Sequence, residues 1–427
     1  MLKTLKNAWG IPELRKKIMF TVLILLLYRI GNVIPVPFIN AEALGQAFTA
    51  KFSDTILGLY NALSGSAFSM ATVLALSIQP YINASIIVQL LTVAIPALER
   101  MAKEEGEEGK KKIEKITRIT TVALGLLMGW AYFVMVKNYG VLSLGGTNEV
   151  LAAFVIILSF TAGSAVVMWL GEQITAHGIG NGISLILFAN IISGIPNALE
   201  VVASLFTAKT WWQALIIIVG VAALVVFIVF VNDAERRIPI QYAKRVVGRK
   251  VYGGQSTNLP IKVAMSGVMP VIFAQSICSL PATVCAFVPG WDKSWVNEHL
   301  FASNTWPYIV VYFLMIFFFG WFYAAIQYDP VEIGNNLKNN GGFIPGFRPG
   351  RPTSEFIQKV INKIIIFGSL YLGIVALLPM IGGILMPSVN YLAIGGTSII
   401  IVVGVALETV QALEAQMMMR HYKGFLD

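Results

Sequence analysis

Charge is scarce in this chain. Asp, Glu, Lys and Arg together make up 12% of its 427 residues, about half the ~25% of an ordinary soluble domain, which excludes a soluble globular fold. Histidine is almost missing: His177, His299 and His421 lie far apart, with no metal-ligand spacing among them. Only two cysteines occur, Cys278 and Cys285. Seven residues apart on one helix, they are separated by about 10.5 Å of axis, beyond disulfide reach, and read as inert core thiols. No GxxxxGK[ST] occurs, and the Gly-rich GIGNG at 178–182 does not follow a strand. Neither a metal, a cofactor nor a resident energy source is indicated, and an enzyme is not expected.

What the chain has is apolar length. Hydrophobic residues are 56% of it, and a membrane span needs ~20 of them in a run. Ten runs qualify: Ile18–Pro37, Ser77–Pro96, Ile119–Lys137, Leu151–Leu170, Ile183–Ala203, Trp211–Val231, Ile261–Val288, Pro307–Gln327, Val360–Met380 and Tyr391–Ala412. Continuous runs predict helices, which satisfy their own backbone in lipid. The fold class is therefore an all-α membrane protein of ten transmembrane helices. If both ends share a side with the even-numbered loops, that side carries 26 of the 31 Lys and Arg residues, counting Lys262 and Lys363 with the loops they border. The other side carries Lys51, Lys137, Lys209 and Lys293, and Arg29 lies within the first span, where it can snorkel outward. The positive-inside rule then puts both termini in the cytoplasm.

The organisation follows from the spans. Residues 1–17 form a cytosolic N-terminus, read either as an amphipathic helix with Leu2, Leu5 and Trp9 in the interface or as a solvated tail. Residues 18–203 hold spans 1–5, residues 204–413 hold spans 6–10, and 414–427 are a cytosolic tail. Five spans per half invert the second half relative to the first, and inverted halves commonly place a pathway at their interface. Spans 2 and 7 both look broken by prolines, Pro80 with Pro96 and Pro270 with Pro281. The charged run EEGEEGKKK between Glu99 and Arg118 reads as a solvated connector. Segment 60–76 is apolar but small, and adding it to span 2 makes that span far too long. A re-entrant half-helix fits better than one long tilted helix. Between Asn232 and Met269 lie Arg236, Arg237, Lys244, Arg245, Arg249, Lys250 and Lys262, a charge that serves topology, docking or both.

Seven stretches then run in one order along the chain: IPVPFIN, IQPYINASIIVQLLTVAIP, GEQITAHGIGNGISLILF, RRIPIQYAKRVVGRKVYGGQSTNLPIK, GVMPVIFAQSI, NNLKNNGGFIPGFRPGRPT and YLAIGGTSIIIVVGVALE. Together they resemble the SecY family, central subunits of the bacterial protein-conducting channel. Position 187 departs from the pattern, with Leu where the family often has Ile.

The resemblance implies a channel that passes unfolded secretory polypeptide through an hourglass pore and releases transmembrane segments sideways into lipid. Its constriction would be an aliphatic ring of Ile82, Ile86, Leu187, Ile191, Ile272 and Ile401. The pairs 82/86 and 187/191 each share a helix face, and branched aliphatics form a dewetting constriction. The re-entrant segment at about 60–74, with Ser64, Gly65, Ser66 and Ser69, would be the plug. Asn83, Gln89 and Thr92 on span 2 would face Gln275 and Ser276 on span 7 across a lateral gate. The loop with Arg236, Arg237, Lys244, Arg245, Arg249 and Lys250, and that with Arg348 and Arg351, would dock cytosolic partners. The partners implied are SecE, SecG, the SecA motor ATPase, the ribosome, signal sequences and nascent chains, with anionic lipid beneath the basic loops. The location implied is the bacterial inner membrane. A secondary solute transporter with five-plus-five repeats is the alternative, though its usual midplane ion site is not apparent.

Overall fold

In a membrane each backbone amide must find a partner within the protein, and the computed structural model meets that demand mostly with helices. It describes residues 2–51, 61, 63–146, 148–207, 211–242, 245–247, 250–252, 256–265, 267–287, 305–385 and 395–423. In the first half the helices are α1 (Leu2–Trp9), α2 (Pro12–Gly31), α3 (Ala41–Lys51), α4 (Gln79–Ala94), α5 (Pro96–Lys103), α6 (Gly106–Asn138), α7 (Glu149–His177), α8 (Gly182–Ser193) and α9 (Ile195–Thr207). The second half has α10 (Trp211–Asp233), strands β1 (Glu235–Tyr242), β2 (Arg245–Val247), β3 (Lys250–Tyr252) and β4 (Ser256–Lys262), then α11 (Met269–Phe287). It continues with α12 (Trp306–Gln327), α13 (Pro330–Asn339), β5 (Gly342–Phe343), α14 (Arg351–Leu385) and α15 (Gly395–Lys423). Among the described residues seven helical stretches are long and apolar enough to cross a membrane, or eight if α4 and α5 form one span bent by 106°. The protein is a multi-pass helical membrane protein. Two of the ten runs fall outside that tally for visible reasons. Helix α2 carries Arg15, Lys16, Lys17 and Arg29, and the described apolar part of α11 is short, Met269–Cys278.

Several boundaries differ from the sequence reading. The first span starts earlier, at Pro12, and ends at Gly31 instead of Pro37, because residues 33–36 are drawn into backbone pairing with another segment. Span 2 is broken at Pro96, where the chain bends by 106°, whereas Pro80 and Pro270 start helices. Pro80 and Pro96 occupy the first turns of α4 and α5, and Pro270 that of α11, where a missing N–H costs nothing. The charged run is helix, not connector: α6 begins at Gly106, and Lys112 reaches Glu105 at 2.6 Å. That hydrogen bond holds the exposed Lys112 ammonium above its usual range. Span 5 breaks at Gly194 into α8 and α9. Residues 256–262, assigned in part to span 7, are strand β4, and the helix starts only at Met269. The supposed tail from 414 continues α15 as far as Lys423. Helix α1 packs on α15, with Thr4 donating to Glu414 at 3.0 Å and Ala8 buried, while Trp9 stays exposed.

Helix starts are set by local chemistry. Asn181 accepts from the amides of Ile183 and Ser184 at the head of α8, and Asp329 accepts from Val331 and Glu332 ahead of Pro330. Close helix contact relies on small residues: α6 sets Gly125 and Gly129 against Thr161, Ser164 and Ile157 of α7. The strands form a sheet of order β4-β1-β5 and a separate β2-β3 pair. In β1, Ile238 and Ile240 alternate inward to join Leu337, Ile344, Ile357 and Ile361 in one apolar cluster, while Arg236 and Arg237 stay exposed.

One position tests this packing. A Cβ at Gly163 of α7 would collide with the carbonyl of Val73. Gly163→Ala is expected to push residues 72–74 off α7 and destabilise the protein by about 1–3 kcal/mol, the range for overpacking. Thermal unfolding of the detergent-purified protein should show a Tm several degrees lower; an unchanged Tm would contradict the packing.

Candidate functional site

The six ring candidates come from four helices of both halves: Ile82 and Ile86 on α4, Leu187 and Ile191 on α8, Ile272 on α11, and Ile401 on α15. The structure gathers them in one apolar cluster. Ile82, Ile86, Leu187, Ile272 and Ile401 are all buried, and Ile191 packs against the same cluster partly buried. Helix α8 lies on α15 and α11 on α4, so the contact crosses between the halves twice. In this state water is excluded from five of the six side chains.

Beside the cluster lies the plug candidate. Residues 63–78 are a buried chain of turns rather than the expected half-helix, and positive φ angles recur at Gly65 (66°), Ser66 (67°), Ala71 (47°) and Ser77 (50°). Helix cannot continue through such angles. The freed backbone groups are satisfied instead by the stretch after α2. Val36 donates to Ala71 and Val73 donates to Ile34, both at 2.9 Å, and Pro35 faces Thr72 in an antiparallel bridge. Tyr132 of α6 donates to the Phe68 carbonyl at 2.6 Å, with the two rings edge to face at 4.8 Å. Ser64 and Ser69 serve internal turns: Ser64 caps the Phe68 amide at 3.1 Å, and Ser69 donates to the Ser66 carbonyl at 3.1 Å. The segment is thus firmly held at its 68–73 end, more than its small side chains suggested. Positions 60 and 62 lie outside the described residues.

A polar group missed by the sequence reading sits at the other end of this segment. Asn190, fully buried, directs Nδ2 to the Leu63 carbonyl at 2.8 Å, to Tyr28 Oη at 2.8 Å and to Ser77 Oγ at 3.2 Å. Tyr28 and Ser77 are themselves 3.1 Å apart. Arg29 does not snorkel outward. Its Nη1 is buried, and a Cβ at Gly65 would lie 2.7 Å from that atom and 3.1 Å from Asn190 Oδ1. A side chain at Gly65 is therefore disfavoured both by φ and by the crowding around it. The signal was present in the sequence: Asn190 is a polar residue inside an otherwise apolar helix, between Leu187 and Ile191.

The gate candidates are placed less tightly. Helices α4 and α11 are in contact, with Gln275 and Ser276 buried, Asn83 half-buried and Gln89 exposed. The Thr92 hydroxyl bonds the Gln89 carbonyl of its own helix at 2.7 Å. On the charged side, β5 pairs with β1 through Gln241↔Phe343 and Tyr242↔Gly342, so one sheet joins the two basic loops. Arg236, Arg237, Arg348 and Arg351 are exposed. Arg237 bonds Glu235 at 2.6 Å and Arg351 bonds Glu355 at 3.0 Å, while Thr353 holds the Arg348 carbonyl at 2.8 Å. Arg245 and Lys250 lie on the paired strands β2 and β3. Lys244 and Arg249 are outside the described residues.

The profile of the SecY family matches residues 72–410. A "Protein translocase subunit SecY" of Streptomyces galbus is 44% identical over the full length of both chains, and one of Mycobacterium tuberculosis is 41% identical, again end to end. Among solved structures, "The structure of a protein conducting channel" superposes with a TM-score of 0.68 at 19% identity, covering 95% of this chain and 93% of that one. "Sec61 in the Canine ribosome-channel complex from the endoplasmic reticulum" does so at 0.64 and 17%, covering 94% and 92%. With more than half its length matched by the family profile and full-length relatives above 40% identity, the chain belongs to the SecY family.

Proposed function

We propose that this chain is the pore-forming subunit of a protein translocase, conducting unfolded polypeptide across a membrane and releasing apolar segments into lipid. The observation that carries the reading is the single apolar cluster of Ile82, Ile86, Leu187, Ile272 and Ile401 across the two halves, with Ile191 packed against it and Leu63 and Leu74 of residues 63–78 within it. Aliphatic side chains give a moving peptide nothing to bond and give ions a dry barrier. Residues 60–74 act as the plug, and the facing helices α4 and α11, with Asn83, Gln89, Thr92, Gln275 and Ser276, as the lateral gate. Polar contacts between membrane helices average only ~0.6 kcal/mol, which suits a seam that must part.

The chain acts as a conduit rather than an enzyme, and its energy comes from partners. We assign the sheet-bearing basic face to the SecA motor and the ribosome, the apolar outer faces to SecE and SecG, and the membrane to the bacterial inner membrane with both termini cytoplasmic. The basic loops also meet anionic lipid. The related structures include channels on ribosomes, and the exposed guanidinium groups suit phosphate and carboxylate partners. Reconstitution with SecE, SecG and SecA in proteoliposomes tests the whole reading. ATP-dependent protection of an added precursor is expected, without uptake of small solutes; solute uptake without precursor protection would favour a transporter.

Two substitutions test the parts. Ile86→Gly with Ile191→Gly is expected to raise ion conductance in planar bilayers at least several-fold while translocation persists, since bulk at those positions excludes water. Conductance equal to the parent would remove both residues from the ring. Arg348→Glu exchanges one exposed charge of 31 basic residues, so orientation and membrane level should be normal. Binding of SecA or ribosomes should weaken by about tenfold and become steeper in salt, as a charge-assisted bond turns to repulsion. Unchanged binding of both partners would leave Arg348 as a topology determinant.

A further inference from the structure

We infer that Asn190 couples dilation of the aliphatic ring to release of the plug, acting as a hydrogen-bonded latch that opens when helix α8 moves. The inference rests on the channel reading above. Asn190 lies on the same twelve-residue helix as Leu187 and Ile191, between them in sequence. Any chain entering the ring must displace those two side chains outward, and Asn190 travels with them.

The chemistry at Asn190 is one-sided. Its amide has two hydrogens, and the two shortest contacts, Leu63 O and Tyr28 Oη at 2.8 Å, take both. The Tyr28 hydrogen is then available to Ser77 Oγ at 3.1 Å. Reversing the amide would set Oδ1 against the Leu63 carbonyl, two acceptors face to face, so the orientation is fixed by its partners. Of these bonds, the one to Leu63 links the ring helix directly to the backbone of the plug. An N–H···O bond weakens sharply beyond about 3.2 Å. A displacement of α8 by well under 1 Å from 2.8 Å therefore takes this bond past its useful range.

What happens next is set by the asymmetry of the plug. Its 68–73 end is anchored independently of α8, through Tyr132 to Phe68 and through Ile34 and Val36 to Val73 and Ala71. Its 63–65 end depends on α8 and α2: Asn190 holds Leu63, and Asn32 reaches the Ser64 carbonyl at 3.5 Å. A Cβ at Gly65 would fall against Asn190 Oδ1, Ser193 Oγ and Arg29 Nη1, so ring-helix motion also withdraws two of the three groups that crowd this position. The plug thus swings on its anchored end rather than leaving as a whole.

The test uses the full-length chain with SecE and SecG in native membranes and planar bilayers. Asn190→Ala is compared with deletion of residues 61–66 and with both changes together, after immunoblotting has shown comparable membrane levels. Asn190→Ser, which keeps a small polar group, takes its place if the alanine variant does not accumulate. The expected result is an idle conductance about fivefold above the parent for Asn190→Ala, the shift associated with losing one net hydrogen bond. Translocation of a precursor lacking its signal sequence should rise in parallel. The deletion should raise conductance at least as much, and Asn190→Ala should add nothing to it. Raised conductance for the deletion but not for Asn190→Ala overturns the latch and leaves the plug standing. An effect of Asn190→Ala that persists in full on top of the deletion also overturns it, because the residue would then act on ring packing alone. No rise for the deletion would sink the plug assignment and the latch with it.

Discussion

Everything in this structure depends on where the backbone is allowed not to be helical. An unpaired amide or carbonyl in an apolar surrounding costs several kcal/mol, so each break in the helices must carry its own partners. The largest break at the core, residues 63–78, meets the requirement by pairing with the extended stretch after α2 and by borrowing the hydroxyl of Tyr132. Those same bonds hold Phe68 and Ala71 in a second apolar cluster with Val36, Tyr132 and Phe160, while Leu63, Leu74 and Ile78 reach the aliphatic cluster. The end of α2 at Gly31 and the position of the plug candidate are therefore one event: residues 33–36 leave the helix to supply residues 71–73 with hydrogen bonds.

The apolar cluster has a matching logic. Four helices from two halves converge on branched aliphatics that interlock without any directional bond. Such an interface is held by burial and dispersion, which fall off gradually as side chains separate. The polar group at Asn190, by contrast, is short-ranged and directional. The site thus combines a compliant apolar contact with a stiff polar one, and the two respond to the same displacement on different length scales.

The helical membrane class was legible because apolar runs of span length have few other outcomes. The six aliphatic positions were not legible from composition, since one Ile in a membrane helix looks like another; only motif order singled them out. What escaped was set by long-range pairing. Ile261 read as the start of an apolar span, yet Pro260 and Ile261 pair with Arg237 and Arg236 of β1, and nothing local announces that register. The charged run at 105–118 looked like loop because its charges were read as solvation, whereas Lys112 and Glu105 stabilise a helix start. Asn190 was missed because its partners, Tyr28, Ser77 and the Leu63 carbonyl, lie far apart in sequence, and the burial of Arg29 Nη1 beside Gly65 is likewise a long-range contact.

The sheet β4-β1-β5 gives the charged side a mechanical character. Seven consecutive pairs lock β1 to β4, from Glu235↔Lys262 to Gln241↔Ser256, and β4 ends only seven residues before α11 begins. Strand β5 is stitched to the far end of β1, just ahead of α14. A displacement of β1 at the exposed Arg236 and Arg237 is thus shared with β4, and through it with the short link that leads into α11.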